Sequence, residues 1–330
     1  MKKNVALATI MPICIGLGNT AIADPQSEEK SSLFTSHFNQ DFTASVGIKT
    51  WFNKWDLPTV LAAENSSDQN LLLSYDSEME TTLIPVLSFR YKNFLVSGSY
   101  FPSTDYNFGQ QSLDFPFFMP TDGGGLQYID DSGNRMGISG NAAVKIPLPV
   151  SISAERSEWD INVGYYLHRS LVVTAGYKRI DRQSSMSGKL PDDFSLTFFD
   201  PAGNALGTIG VEEIEQAGMD TAFNVAGDNK TDGLTLGIAS VVSLQGRLGL
   251  YGSFAYGWLE TETKTTTYNS DYYLGELGLL YSPRFEQIPM LEAASVYLGY
   301  RFQFLNDDVA VGNGATDSTE GFVLGVNLIF

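Results

Sequence analysis

The last nine residues, Phe322 to Phe330, constrain the fold of this chain most tightly. Successive side chains of a strand point to opposite sides, so Phe322, Leu324, Val326, Leu328 and Phe330 share one face. Gly325 and Asn327 fall on the other. The sequence stops on an aromatic residue in the middle of this alternation. The same period of two recurs in segments of about 10–15 residues along the chain. No sustained helical pattern follows Ala23, and no later stretch approaches the roughly 20 apolar residues that a membrane-spanning helix needs. The chain carries 32 Gly, 16 Tyr and 21 Phe among 330 residues. This composition and period predict an all-β protein.

The opposite end carries an address. Met1-Lys2-Lys3 is a short basic start, and Val5 to Leu17 is mostly apolar. Ala21-Ile22-Ala23 offers a small-residue cleavage site, which predicts a Sec signal peptide over 1–23 cleaved after Ala23. Residues 24–41 read as a polar periplasmic lead-in. Cys14 is the one cysteine and lies inside the signal segment, so the mature chain is expected to use neither disulfides nor thiol chemistry.

The terminal strand, with Val326, Leu328 and Phe330 in phase, resembles the C-terminal signature of Gram-negative outer-membrane β-barrels. The resemblance is to a broad class and rests on about the last twelve residues. It implies that Phe330, Leu328 and Val326 form an assembly signal for periplasmic chaperones and the barrel-assembly machinery. It also implies a place in the cell outer membrane, among outer-membrane lipid and lipopolysaccharide.

Ten segments fit spanning strands: 42–53, 80–92, 93–102, 155–168, 170–181, 232–244, 246–260, 271–283, 293–304 and 319–330. The connections alternate between short and long. Outer-membrane barrels have short periplasmic turns and longer outer loops. The expectation is therefore a transmembrane antiparallel up-and-down barrel over 42–330 with ten strands. Eight strands require two weak segments to fail. Twelve require a further hairpin, with 194–199 and 207–213 as the candidate. The long outer loops fall at about 54–79, 103–154 and 182–231, and residues 136–146 read as a strand above the membrane. Aromatics near strand ends, including Phe52, Trp55, Tyr177, Trp258 and Tyr281, are expected to form the interfacial girdles.

The opposite phase of the strands is polar. It places Lys49, Arg90, Arg156, Glu158, Asp160, Lys178, Arg247, Glu276 and Arg301 in the lumen. Two readings stay open. In one, these charges pair across a narrow lumen that side chains nearly fill. In the other, the six basic residues against three acidic line a narrow pore and favour anions.

Chemistry beyond the wall is sparse. The three long loops hold 18 acidic and six basic residues, among the basic ones Arg182, in a chain of formal net charge −18. Such a surface repels nucleic acid. Outer-membrane hydrolases such as omptin proteases rely on a histidine near the mouth or wall. Here His37 falls in the lead-in and His168 at a periplasmic turn, so no enzyme activity is expected. No residue pattern calls for a metal or cofactor. The expected function is a narrow porin-like channel for small hydrophilic solutes, with anions favoured. The alternative is a non-conducting surface barrel, structural or adhesive, that acts through its acidic loops. A monomer is the favoured state.

Overall fold

The computed structural model describes residues 42–61, 71–118, 127–129, 135–137, 143–192, 194–199, 205–216, 222–245, 247–283, 291–308 and 315–330. The predicted signal peptide (1–23) and lead-in (24–41) lie outside the described residues. Ten strands form the wall: β1 (Phe42–Leu61), β2 (Glu80–Tyr91), β3 (Phe94–Phe118), β4 (Ala143–His168), β5 (Leu171–Lys189), β6 (Ala222–Gln245), β7 (Leu248–Glu262), β8 (Thr267–Tyr281), β9 (Ala293–Asp307) and β10 (Ala315–Ile329). Neighbours in sequence are antiparallel neighbours in space, and β10 pairs back onto β1 from Ser45–Ile329 to Asp56–Ser318. The sheet is therefore a closed antiparallel ten-stranded barrel. Closure leaves no unpaired backbone edge in hydrocarbon, where each bare N–H or C=O is costly.

The hairpin considered as a source of two further strands is separate from the wall. Among the described residues, Ser195–Phe199 pairs only with Ala205–Gly210 in a small sheet, followed by a helical turn, α1 (Val211–Gln216). Leu71–Asp76 folds back onto the outer end of β1, and Gln127–Ile129 pairs with Arg135–Gly137.

Short turns gather at one end. Lys92 and Asn93 alone join β2 to β3, with Lys92 at φ 53° in the left-handed region. The barrel's carboxyl end shares this side, where Phe330 and Ala44 exchange two backbone hydrogen bonds. The loop rule expects this end at the periplasm, and it is called the periplasmic end below.

The outward face is apolar. Ile48, Leu277, Leu298 and Phe322 are each more than half exposed, as a lipid-facing wall requires. Aromatic pairs flank this belt. Trp159–Tyr177, Tyr256–Trp258 and Tyr300–Phe322 lie toward the outer side, and Phe94–Tyr165 lies at the periplasmic side. Trp55 departs from expectation. It is wholly buried inside the barrel, because it shares the inward phase of Trp51 and Asn53.

The strands run longer than the sequence reading placed them. β3 has 25 residues and β4 has 26, where a tilted crossing needs about 9–11. The apolar outward pattern marks where lipid stops. Backbone pairing continues past it, to Phe118–Ala143 between β3 and β4 and Lys189–Ala222 between β5 and β6. Much of the predicted second and third loops is thus a continuous sheet above the membrane. Its inner face is lined by Phe108, Val150, Ile152, Met186 and Leu190, which are buried in one apolar cluster.

Candidate functional site

Inward residues of opposite walls meet in a charged lattice at and above the outer aromatic girdle. Its centre is Asp317 on β10. One carboxylate oxygen accepts from Trp55 Nε1 at 2.7 Å and from an Arg156 terminal nitrogen at 3.1 Å. The other accepts from Arg182 at 2.8 Å. These donors come from β1, β4 and β5, so one side chain ties three parts of the wall together.

A second node is Glu158 on β4. It accepts from Arg156 Nε at 2.7 Å, Lys178 Nζ at 2.6 Å and Gln303 Nε2 at 2.7 Å. Gln303 lies on β9, five strands away in either direction around a ring of ten, so this bond crosses the full lumen. Arg182 also reaches Thr231 at 3.1 Å and Asp307 at 3.5 Å, and Asp307 accepts from Ser270 at 2.7 Å. Arg156 stacks over the Trp55 ring, which packs edge-on against Tyr106.

Three cations (Arg156, Lys178, Arg182) and three anions (Glu158, Asp307, Asp317) make up this layer. Each is at least nine-tenths buried. Buried charge is tolerated only where partners replace water, and cutting one partner out leaves a costly orphan. The dense pairing supplies those partners.

A second tier lies toward the periplasm. Lys49 Nζ donates to both oxygens of Glu276, at 3.1 and 3.2 Å. Arg301 sits 3.7 Å from the same carboxylate and stacks on Trp51. Asp160 accepts from Asn162 at 2.7 Å and from the Ser99 hydroxyl. Between these groups is a cavity of about 240 Å³, lined by small residues such as Ser97, Thr174, Thr235 and Ser253. Toward the periplasm, Tyr251 and Tyr297 meet edge to face. Tyr297 lies over Gly325, where any Cβ would stand 2.1 Å from the ring, so only glycine admits this packing.

The structure brings together Lys49, Arg156, Glu158, Asp160, Lys178, Glu276 and Arg301. Arg90 is inward but apart, near the periplasmic end, where it donates to the Lys92 carbonyl and stacks on Tyr166. Arg247 sits in the turn entering β7, where its carbonyl accepts from the Ser282 N–H. Arg182, counted from sequence among loop charges, is an inward residue of β5. Asp307 and Asp317 also belong to the interior. All three follow the inward parity of their strands beyond the point where the apolar belt ends. With them inside, the basic surplus expected of the lumen vanishes from its outer half. Phe322, Leu324, Val326 and Phe330 face outward. His168 shares a 2.9 Å hydrogen bond with Ser170 at the β4–β5 turn, and His37 lies outside the described residues.

No protein-family model matches this sequence, and no curated protein matches it. Solved structures show a loose likeness. The outer membrane protease OmpT from Escherichia coli is 13% identical, with 88% of this chain and 96% of that one covered and a TM-score of 0.44. The P. putida toluene transporter TodX is 10% identical, with 91% and 92% covered and a TM-score of 0.27. A Pseudomonas aeruginosa FadL homologue is 8% identical, with 88% and 90% covered and a TM-score of 0.25. Likenesses this loose lend no weight to any activity. The barrel itself stands on its closed hydrogen-bond ladder.

Proposed function

We propose that this protein is a plugged outer-membrane barrel that acts at the cell surface, structurally or adhesively, through the tall sheet and acidic loops it displays. One observation carries this reading: the bonds from Gln303 to Glu158 and from Arg182 to Asp317 join opposite walls, so the outer half of the lumen is filled by its own side chains. The apolar cluster above the lattice adds a dry layer. Ten strands enclose little more room than eight, whose interior side chains already fill.

The second reading is the narrow porin-like channel for small hydrophilic solutes. The polar cavity below the lattice favours it. On that reading the lattice is a gate rather than a stopper. Liposome swelling separates the two. Vesicles holding the refolded protein should swell no faster in glycine or arabinose than empty ones. Swelling that rises with protein content would establish the channel and remove the plug.

Delivery follows from the chain ends on the same proposal. N-terminal sequencing of the mature protein should begin at Asp24. Deleting Phe330 should cut the amount assembled in the outer membrane, because the outward aromatic closes the terminal strand. Equal amounts of assembled protein would remove Phe330 from the assembly signal.

A further inference from the structure

The mid-barrel cavity is charged in a way the plug does not require. Its walls carry Lys49, Lys178 and Arg301 against Asp160 and Glu276. Lys178 is already taken up by Glu158 of the lattice, and the other two cations, Lys49 and Arg301, share the one Glu276 carboxylate. Arg301 is the least satisfied of them. It is buried, yet among the described residues its guanidinium has no hydrogen-bond partner within 3.5 Å, and its Nε has none at all. The Tyr272 hydroxyl is also buried without a partner among the described residues. Buried donors left unpaired are costly, and a native site that keeps two of them beside a cavity is built for an acceptor.

We propose that this cavity binds one small carboxylate, held by Arg301 and Tyr272. A monoanion brings one negative charge beside Asp160 and Glu276, where a phosphate dianion brings two. The planar guanidinium fork matches a carboxylate with two parallel hydrogen bonds. Asp160 lies on β4, five strands from Arg301 on β9, and so faces it across the lumen. Its own partners are the neutral donors Ser99 and Asn162, so it serves as acceptor for a hydroxyl or ammonium at the ligand's other end. At about 240 Å³ the cavity has room for roughly eight waters of about 30 Å³ each, which suits a hydroxy acid or amino acid of a few carbons. Entry is from the periplasmic side, because the lattice spans the lumen on the other.

The test is isothermal titration calorimetry on the full-length protein refolded in detergent micelles. Sodium glycolate is the probe, with inorganic phosphate, glycerol and ethanolamine titrated in parallel. Glycolate should bind at one site per chain, and the other three should bind at least tenfold more weakly. Tyr272→Phe removes a hydroxyl with no partner in the protein, so the barrel should keep its heat-modifiable gel migration while glycolate affinity falls roughly tenfold. Arg301→Lys keeps the charge beside Glu276 but removes the fork, and should weaken glycolate by about tenfold or more. Absence of glycolate binding, equal or tighter binding of phosphate or glycerol, or unchanged affinity in both folded variants would overturn the proposal. None of these outcomes depends on whether the lattice conducts.

Discussion

The outer and inner halves of the lumen are built on the same ten strands and are filled in opposite ways. Above the girdle, inward positions hold Arg156, Glu158, Arg182, Gln303 and Asp317, whose side chains reach across to the facing wall. Below it, β3, β5, β6 and β7 place Ser97, Thr174, Ala239 and Ser253 inward, and these stop at the wall and leave a cavity. Strand number sets the circumference, but side-chain length at inward positions decides whether the space within is occupied. The chain closes one half by pairing and opens the other by shortening.

The sharpest way to break this contrast is to remove the lattice's central acceptor. Asp317→Ala leaves Arg156 and Arg182 facing each other without their shared carboxylate, and is expected to cost about 3–5 kcal/mol in urea unfolding from lipid vesicles. A cost below 1 kcal/mol would mean that water already satisfies these arginines. Next in size is the contrast between lumen and lipid face. Leu277→Arg puts a charge at the middle of the outward belt and should cost about 2–4 kcal/mol in the same assay, or abolish assembly. A neutral result would place that position outside the bilayer. Trp55→Phe keeps an aromatic ring, though a smaller one, but removes the bond to Asp317. It should cost about 1.5–3 kcal/mol, and an unchanged midpoint would show that stacking alone holds the tryptophan. The smallest effect belongs to the cavity. Ser253→Ala should alter stability by no more than about 0.5 kcal/mol, since its side chain borders space rather than a partner. A loss as large as that of the tryptophan variant would erase the distinction between the two halves.

The wall was legible in the sequence because lipid imposes a rule on every second residue. The parity of Ile48, Ile161, Leu250 and Leu298 gave the outward face, and hairpin lengths gave the strand number. The lattice was half legible. Arg156, Glu158 and Lys178 lie within the apolar belt's span, where the outward residues frame them. Arg182, Asp307 and Asp317 lie beyond it, where outward positions such as Arg179, Asn306 and Glu320 are polar too. There the alternation no longer shows in hydropathy, although the backbone keeps its parity. Extending the segments 170–181, 293–304 and 319–330 by one to three residues in their inward phase reaches all three. Trp55 reads as interfacial for a related reason: an aromatic near a strand end looks so until its phase is counted from Phe52. Pairing across the lumen was not legible at all, because it depends on which strands face one another once the ring closes.

Single-channel recording in planar bilayers tests the closed lumen most directly, with wild-type protein and the Asp317→Ala variant compared at equal insertion. The wild type should show no sustained steps over many insertions, whereas the variant, with its central tie removed, should show discrete openings. Steady conductance in the wild type, unchanged by Asp317→Ala, would contradict the account, because the bonds that join opposite walls would then not close the path.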